Sequence, residues 1–180
     1  ARTLHPAVMS FSANFLWGAV AAFFPLYALS RGVANPGYFF GACALTLIVS
    51  RMLGGRILDR YSRDRVILPC LVAFIVSMIL FSFSETQSMF ILIAVVFGLG
   101  TAFFFPTIVV YAVERAGSAR GPAMGTFTAA GDLGAGLGAV IMGAVLRLTN
   151  YPVMFLCLAL VAAISFGYFH HFIKQRIKNH

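Results

Sequence analysis

The chain has 180 residues, 61% hydrophobic and only 10% charged, with a formal net charge of +8 and a mean hydropathy of +0.93. Soluble domains average about 45–50% apolar and about 25% charged residues, and a soluble core cannot hide this much apolar side chain at this length; a soluble fold is excluded and an integral membrane protein is expected. The basic excess is spread over short loops, so it reads as membrane orientation and not as nucleic-acid binding.

A transmembrane helix needs about 20 mostly apolar residues. Six stretches qualify, at 7–29, 36–58, 66–84, 88–112, 121–147 and 152–173. The links between them are short and polar, so neighbouring helices run antiparallel. Residues 1–180 read as one all-α, six-helix transmembrane domain. With the N-terminus inside, eleven basic residues fall on inner segments and only Arg31 and Arg147 on outer ones. Basic residues favour the cytoplasmic side, so both termini are expected there. The start at Ala1-Arg2 reads as a cut inside a longer protein.

Helix 1 carries an amide at lipid depth. Ser10, Asn14, Trp17 and Gly18 share one face at i, i+4, i+7, i+8 spacing. Asn14 is either a helix-packing amide or part of a cavity wall, and it needs a hydrogen-bond partner in both cases. Helix 2 ends in a charged hinge, Arg51 to Arg65, holding seven ionisable residues. Arg51 either snorkels to the inner surface or faces a cavity. Helix 3 has no ionisable residue between Val66 and Ser84 and reads as lipid-facing. Helix 4 has paired glycines, Gly98 and Gly100, then Pro106, which can bend it. Its polar handles are Thr101, Thr107 and Tyr111, and Glu114, Arg115 and Arg120 close its inner end. Helix 5 has small residues at four-residue steps (Gly117, Gly121, Gly125; Gly134, Gly138), which let another backbone approach closely. It also carries Asp132, the only acidic residue deep in a predicted span. That carboxylate is either paired structurally or a proton-coupling or substrate contact. Helix 6 is apolar and ends in a basic tail. Helices 1, 2, 4 and 5 hold the polar features while 3 and 6 are plain, a pattern that suits two inverted three-helix repeats.

Cys43, Cys70 and Cys157 lie in three different apolar runs and read as buried hydrophobes. The histidines show no metal-ligand spacing, and neither metal nor organic cofactor is expected. No Ser–His pair or second membrane aspartate exists for intramembrane proteolysis, so an enzyme is not expected.

Gly55-Arg-Ile-Leu-Asp59-Arg60-Tyr61-Ser-Arg63-Asp-Arg65 resembles the loop motif of the major facilitator superfamily. Ser62 and Asp64 depart from it, standing where the family prefers glycine and a basic residue. Pro25-Leu-Tyr, Asn35-Pro-Gly-Tyr-Phe-Phe and Arg120-Gly-Pro-Ala-Met-Gly…Asp132-Leu-Gly-x-Gly-Leu-Gly are similar to the C-terminal half of its bacterial proton-coupled exporters. The resemblance implies one half of that fold, helices 7–12, with the N-terminal six-helix half missing or replaced by a second copy. Helices 1 and 4 would line a cavity, helices 3 and 6 would face lipid, and helices 2 and 5 would face the other half, an arrangement that suits the glycine face of helix 5.

The expected function is secondary active transport of a small solute by alternating access, as proton-coupled efflux across a bacterial inner membrane. The alternatives are a homodimeric half-transporter or a non-transporting membrane module. Asn14, Trp17, Thr101 and Tyr111 are the candidate solute contacts. Asp132 and Arg51 are the candidate intramembrane charges that bias the two states. Arg56, Asp59, Arg60, Arg63, Glu114 and Arg120 are the candidate inner-face gate. The proton gradient, the lipid bilayer and a small molecule are the expected partners.

Overall fold

Among the described residues of the computed structural model, six α-helices make up the regular structure: α1 (Leu4–Ser30), α2 (Gly37–Arg60), α3 (Arg63–Phe83), α4 (Gln87–Ala116), α5 (Arg120–Leu148) and α6 (Tyr151–Lys178). The description covers residues 4–60, 63–117 and 120–178, with side chains except those of 55–60, 63, 64 and 172–178. All six helices are long and apolar enough to cross a membrane. Several run past their apolar spans, α4 through Glu114 to Ala116 and α6 into its basic tail. Backbone hydrogen bonding continues into polar sequence, whereas apolar patterning reports only the part that lipid covers.

Local chemistry sets the helix ends away from the hinge. α1 stops at Gly32, whose φ of 78° suits glycine. There the Val33 amide donates to the Ala28 carbonyl at 3.0 Å and the Gly32 amide to that of Leu29 at 3.0 Å, which satisfies two end carbonyls. The Asn35 side chain accepts from the Gly37 amide at 3.1 Å, the Thr86 hydroxyl from Met89 at 3.4 Å, and the Asn150 side chain from Val153 at 3.0 Å. Each supplies an acceptor for the orphan amides of a helix start. Pro152 sits in the first turn of α6, where no donor is needed.

The helices pair by two-fold logic. α1 packs on α5 as α4 packs on α2, and α3 packs on α6. This is the pattern of two three-helix repeats exchanging their second helices. α3 also packs closely on α4, whereas among the described residues α2 and α3, consecutive in the chain, share few contacts.

Glycines decide the closest contacts. A Cβ on Gly134 would collide with the Phe11 carbonyl, one on Gly138 with that of Phe15, and one on Gly18 with that of Ala135. The α1 and α5 backbones therefore lie against each other, and Ser10 Oγ adds a cross-helix hydrogen bond to the Phe127 carbonyl at 3.1 Å. On α4, Gly98 receives Thr46 of α2, and Gly100 receives Phe74 and the Cys70 carbonyl of α3.

For Gly134 and Gly138 this corrects the expectation that the glycine face of helix 5 turns toward a missing half. Gly131, Gly134 and Gly138 face α1 instead, while Gly121, Gly125 and Gly136 meet nothing. The physical reason is the register. Gly125 and Gly134 are nine residues apart, about two and a half turns, so the two glycine series lie on opposite faces of one helix.

Opposite the hinge, an aromatic cluster closes the bundle. Phe24 packs on Phe39, Phe81 and Phe90 with centroids at 4.1, 5.6 and 5.2 Å. Tyr27, 1% exposed, donates to the Ser84 carbonyl at 2.7 Å and so anchors the end of α1 to the end of α3.

Gly134→Leu should destabilise the bundle by about 1–3 kcal/mol or more through overpacking, whereas Gly136→Leu, built into open space, should cost far less. Thermal unfolding of the two variants in detergent, read by circular dichroism, compares them directly.

Candidate functional site

The α1–α5 seam holds α1 so that Asn14 and Trp17 project toward α2 and α4. There they line a cavity of about 210 Å³ together with Cys43 and Leu47 of α2 and Phe97, Gly98, Thr101 and Phe105 of α4. Spacing within each helix puts these residues on one face: Asn14 to Trp17 is i, i+3, Cys43 to Leu47 is i, i+4, and Phe97, Thr101 and Phe105 follow at i, i+4, i+8.

The aromatic wall is built around Trp17. Its ring stacks on Phe97 at a centroid distance of 5.9 Å and an angle of 15°. Phe40 meets it edge-on at 6.3 Å. The indole is 36% exposed, so part of its surface remains open to an incoming molecule.

Polar groups on the wall have spent donors on the backbone. Asn14 Nδ2 donates to the Ser10 carbonyl at 2.9 Å, Thr101 Oγ1 to Phe97 at 2.8 Å and Cys43 Sγ to Ala94 at 3.4 Å. The remaining capacity is the Asn14 carbonyl oxygen, its second amide proton and the lone pairs of Thr101. Among the described residues, no carboxylate or guanidinium lines this wall. It offers an aromatic face and neutral hydrogen-bonding groups. Asn14 also abuts Gly131 of α5, so the same amide serves helix packing and the cavity wall, the two readings its sequence left open.

Of the expected solute contacts, Asn14, Trp17 and Thr101 come together on this wall and Tyr111 does not. Tyr111 is 4% exposed, and the Arg115 guanidinium lies 4.5 Å from its ring centroid, a cation–π pair at the basic end of α4. Arg51 is exposed. It lies one turn past Leu47, so the cavity face of α2 continues through it toward the hinge. Asp132 is exposed on α5, on the side away from the α1 seam. Glu114 and Arg120 are exposed near the basic end. Arg56, Asp59, Arg60 and Arg63 lie outside the described side chains. Cys43, Leu47, Phe97, Gly98 and Phe105 were not read from sequence as cavity residues. The i, i+4 steps from Thr101 would have found Phe97 and Phe105. Nothing in an apolar helix 2 distinguishes Cys43 and Leu47 before its rotation about α4 is known.

The family model of the Major Facilitator Superfamily matches residues 7–178. The staphylopine export protein of Staphylococcus aureus is 25% identical over 168 residues, covering 89% of this chain and 42% of that protein. An uncharacterised MFS-type transporter of Pseudomonas aeruginosa is 29% identical over 163 residues, covering 89% of this chain and 40% of its own length. Multidrug resistance protein 2 of Bacillus subtilis is 29% identical over 135 residues, covering 72% and 33%. The chain thus spans less than half the length of these relatives. A match across nearly all its residues, on six helices paired as two three-helix repeats, leads to one assignment: the chain belongs to the major facilitator superfamily and forms a half-domain of that fold.

Proposed function

We propose that the intact protein is a secondary active transporter that moves a small solute by alternating access, as proton-coupled efflux across a bacterial inner membrane. The observation that carries this reading is the cavity wall on α1, α2 and α4, where Asn14, Trp17 and Thr101 meet. A wall of about 210 Å³ is small beside the roughly 300–1,000 Å³ of ordinary ligand sites, as suits a site completed by a second half. In this reading the chain is the C-terminal half, with both termini cytoplasmic, and the missing six helices or a second copy supply the facing wall. The names of two relatives, an export protein and a multidrug resistance protein, support the outward direction.

The wall binds by stacking on Trp17 and by hydrogen bonds to the Asn14 carbonyl and the Thr101 hydroxyl. Tyr111 is packed away from it and acts by holding the end of α4. Asp132 couples the proton. An ionised carboxylate is costly in a dry membrane interior, so protonation favours the state in which that face of α5 is covered, and deprotonation the state in which water reaches it. A ligand or proton shifts the two states only by its difference in affinity for them. Arg51 adds a fixed charge near the inner mouth. Asp59, with Arg56, Arg60, Arg63, Glu114 and Arg120, forms the inner latch, whose ion pairs break as the halves separate.

Trp17→Ala and Asn14→Ala should each raise the KM for flux by roughly tenfold, the equivalent of about 1.4 kcal/mol, with the thermal midpoint reported alongside. The assay is electrogenic flux in proteoliposomes over a panel of aromatic, cationic and carboxylate solutes. Unchanged KM in both variants would remove this wall from the binding site. Flux absent for every solute, with both halves present and folded, would favour a non-transporting module.

Asp132→Asn should make flux insensitive to an imposed pH gradient while solute binding persists; retained pH dependence would reduce Asp132 to a packing group. Asp59→Asn should raise the inward-open population in spin-label distance measurements, and unaltered populations would end the latch assignment.

A further inference from the structure

A second and larger cavity lies on the other side of α4, away from the proposed solute wall. It is a groove of about 420 Å³ between α3 and α4. Pro69 and Ala73 of α3 face Leu99 and Phe103 of α4 across it, and Arg65 stands among its lining residues. Apart from Arg65 and Cys70, every lining side chain is hydrocarbon or glycine. Pro69 and Leu99 are exposed, so the groove is open at the side.

Packing explains why the groove exists. Gly100 lets α3 close on α4 through Phe74 and the Cys70 carbonyl. Nearer the hinge, Phe103 is engaged by α2 instead, its ring occupying the space a Cβ on Gly54 would need. The space this leaves between α3 and α4 is the groove. An apolar void of this size forfeits dispersion contacts on one side. Within a bilayer the material available to fill it is lipid tail.

Arg65 gives the groove a polar end. It lies in the first turn of α3 and carries the only ionisable basic group among the described lining residues. Arg65 therefore places a cation at the mouth of an apolar slot. A lipid phosphate suits it. In a chain of net charge +8, whose basic residues concentrate at this end, the complementary lipid is anionic.

We propose that the α3–α4 groove is a binding site for an anionic phospholipid of the phosphatidylglycerol type, with one acyl chain against Ala73, Leu99 and Phe103 and its phosphate on Arg65. The site requires the membrane orientation proposed above but not transport. The bound tail bridges α3 to the floor of α4, whose opposite face forms the solute wall.

The test uses the intact protein in nanodiscs containing phosphatidylglycerol with a diazirine in its acyl chain, or the matching phosphatidylcholine probe. Cross-linked peptides are mapped by mass spectrometry. In the unmodified protein, labels should fall on the segments 65–73 and 99–103, at least fivefold more with phosphatidylglycerol than with phosphatidylcholine. Ala73→Phe, which fills the slot, should reduce this labelling at least fivefold. Arg65→Gln should abolish the preference between the two lipids while tail labelling remains. Leu160→Phe, on the exposed side of α6 and away from the groove, is the control for added bulk and should change neither. Absence of labels from both segments in the unmodified protein overturns the site, a result that depends on no variant folding. Equal labelling by the two lipids overturns the role of Arg65. Because no flux is measured, failure here is separate from failure of the transport reading.

Discussion

The close approach of two backbones organises this half-domain. Gly134 and Gly138 of α5 lie against the carbonyls of Phe11 and Phe15, and Gly18 of α1 against that of Ala135. In lipid no hydrophobic force separates helix from solvent, so association depends on packing and on hydrogen bonds such as Ser10 to Phe127. Small residues on both partners maximise that packing. The seam fixes the rotation of α1, and this rotation puts Asn14 and Trp17 on the cavity side. It also fixes the rotation of α5, which leaves Asp132 on the open side.

α4 carries the second organising role. Gly98 admits α2 and Gly100 admits α3, two residues apart and so on different faces of one helix. Phe97, Thr101 and Phe105 complete the solute wall, while Leu99 and Phe103 floor the groove. One helix thus separates a cavity read as a solute site from a slot suited to a lipid tail. A change in α4 tilt or rotation would alter both, so the two cavities are mechanically linked through a packed element with few internal voids.

The aromatic cluster at the end opposite the hinge gives the bundle a rigid cap. Phe24, Phe39, Phe81 and Phe90 form mutual ring contacts, and Tyr27 is tied to Ser84. The hinge end lacks such a plug among its described residues. There Arg115 covers Tyr111, and His5 Nδ1 meets the Tyr168 hydroxyl at 2.5 Å. Polar contacts of this kind can exchange partners at little cost, whereas interlocked rings cannot.

Much of the architecture was legible in the residues. Apolar runs of span length require helices in lipid, because unsatisfied backbone polar groups are too costly there. The hinge motif pointed to the superfamily, and the resemblance implied that helices 1 and 4 would line a cavity, in keeping with the plainness of helices 3 and 6. Asn14, Trp17 and Thr101 could be named because polar or amphipathic groups at membrane depth stand out against hydrocarbon. Cys43 and Leu47 could not, since an apolar residue looks alike on a cavity face and a lipid face. The glycines of helix 5 showed the same limit: a sequence marks small residues, but not which of two opposite faces meets a neighbour. By itself the sequence determined the number of helices, their span and the family. Only tertiary structure decided their rotations, because these follow from which backbones can approach within van der Waals contact, a property of pairs of helices and not of any single one.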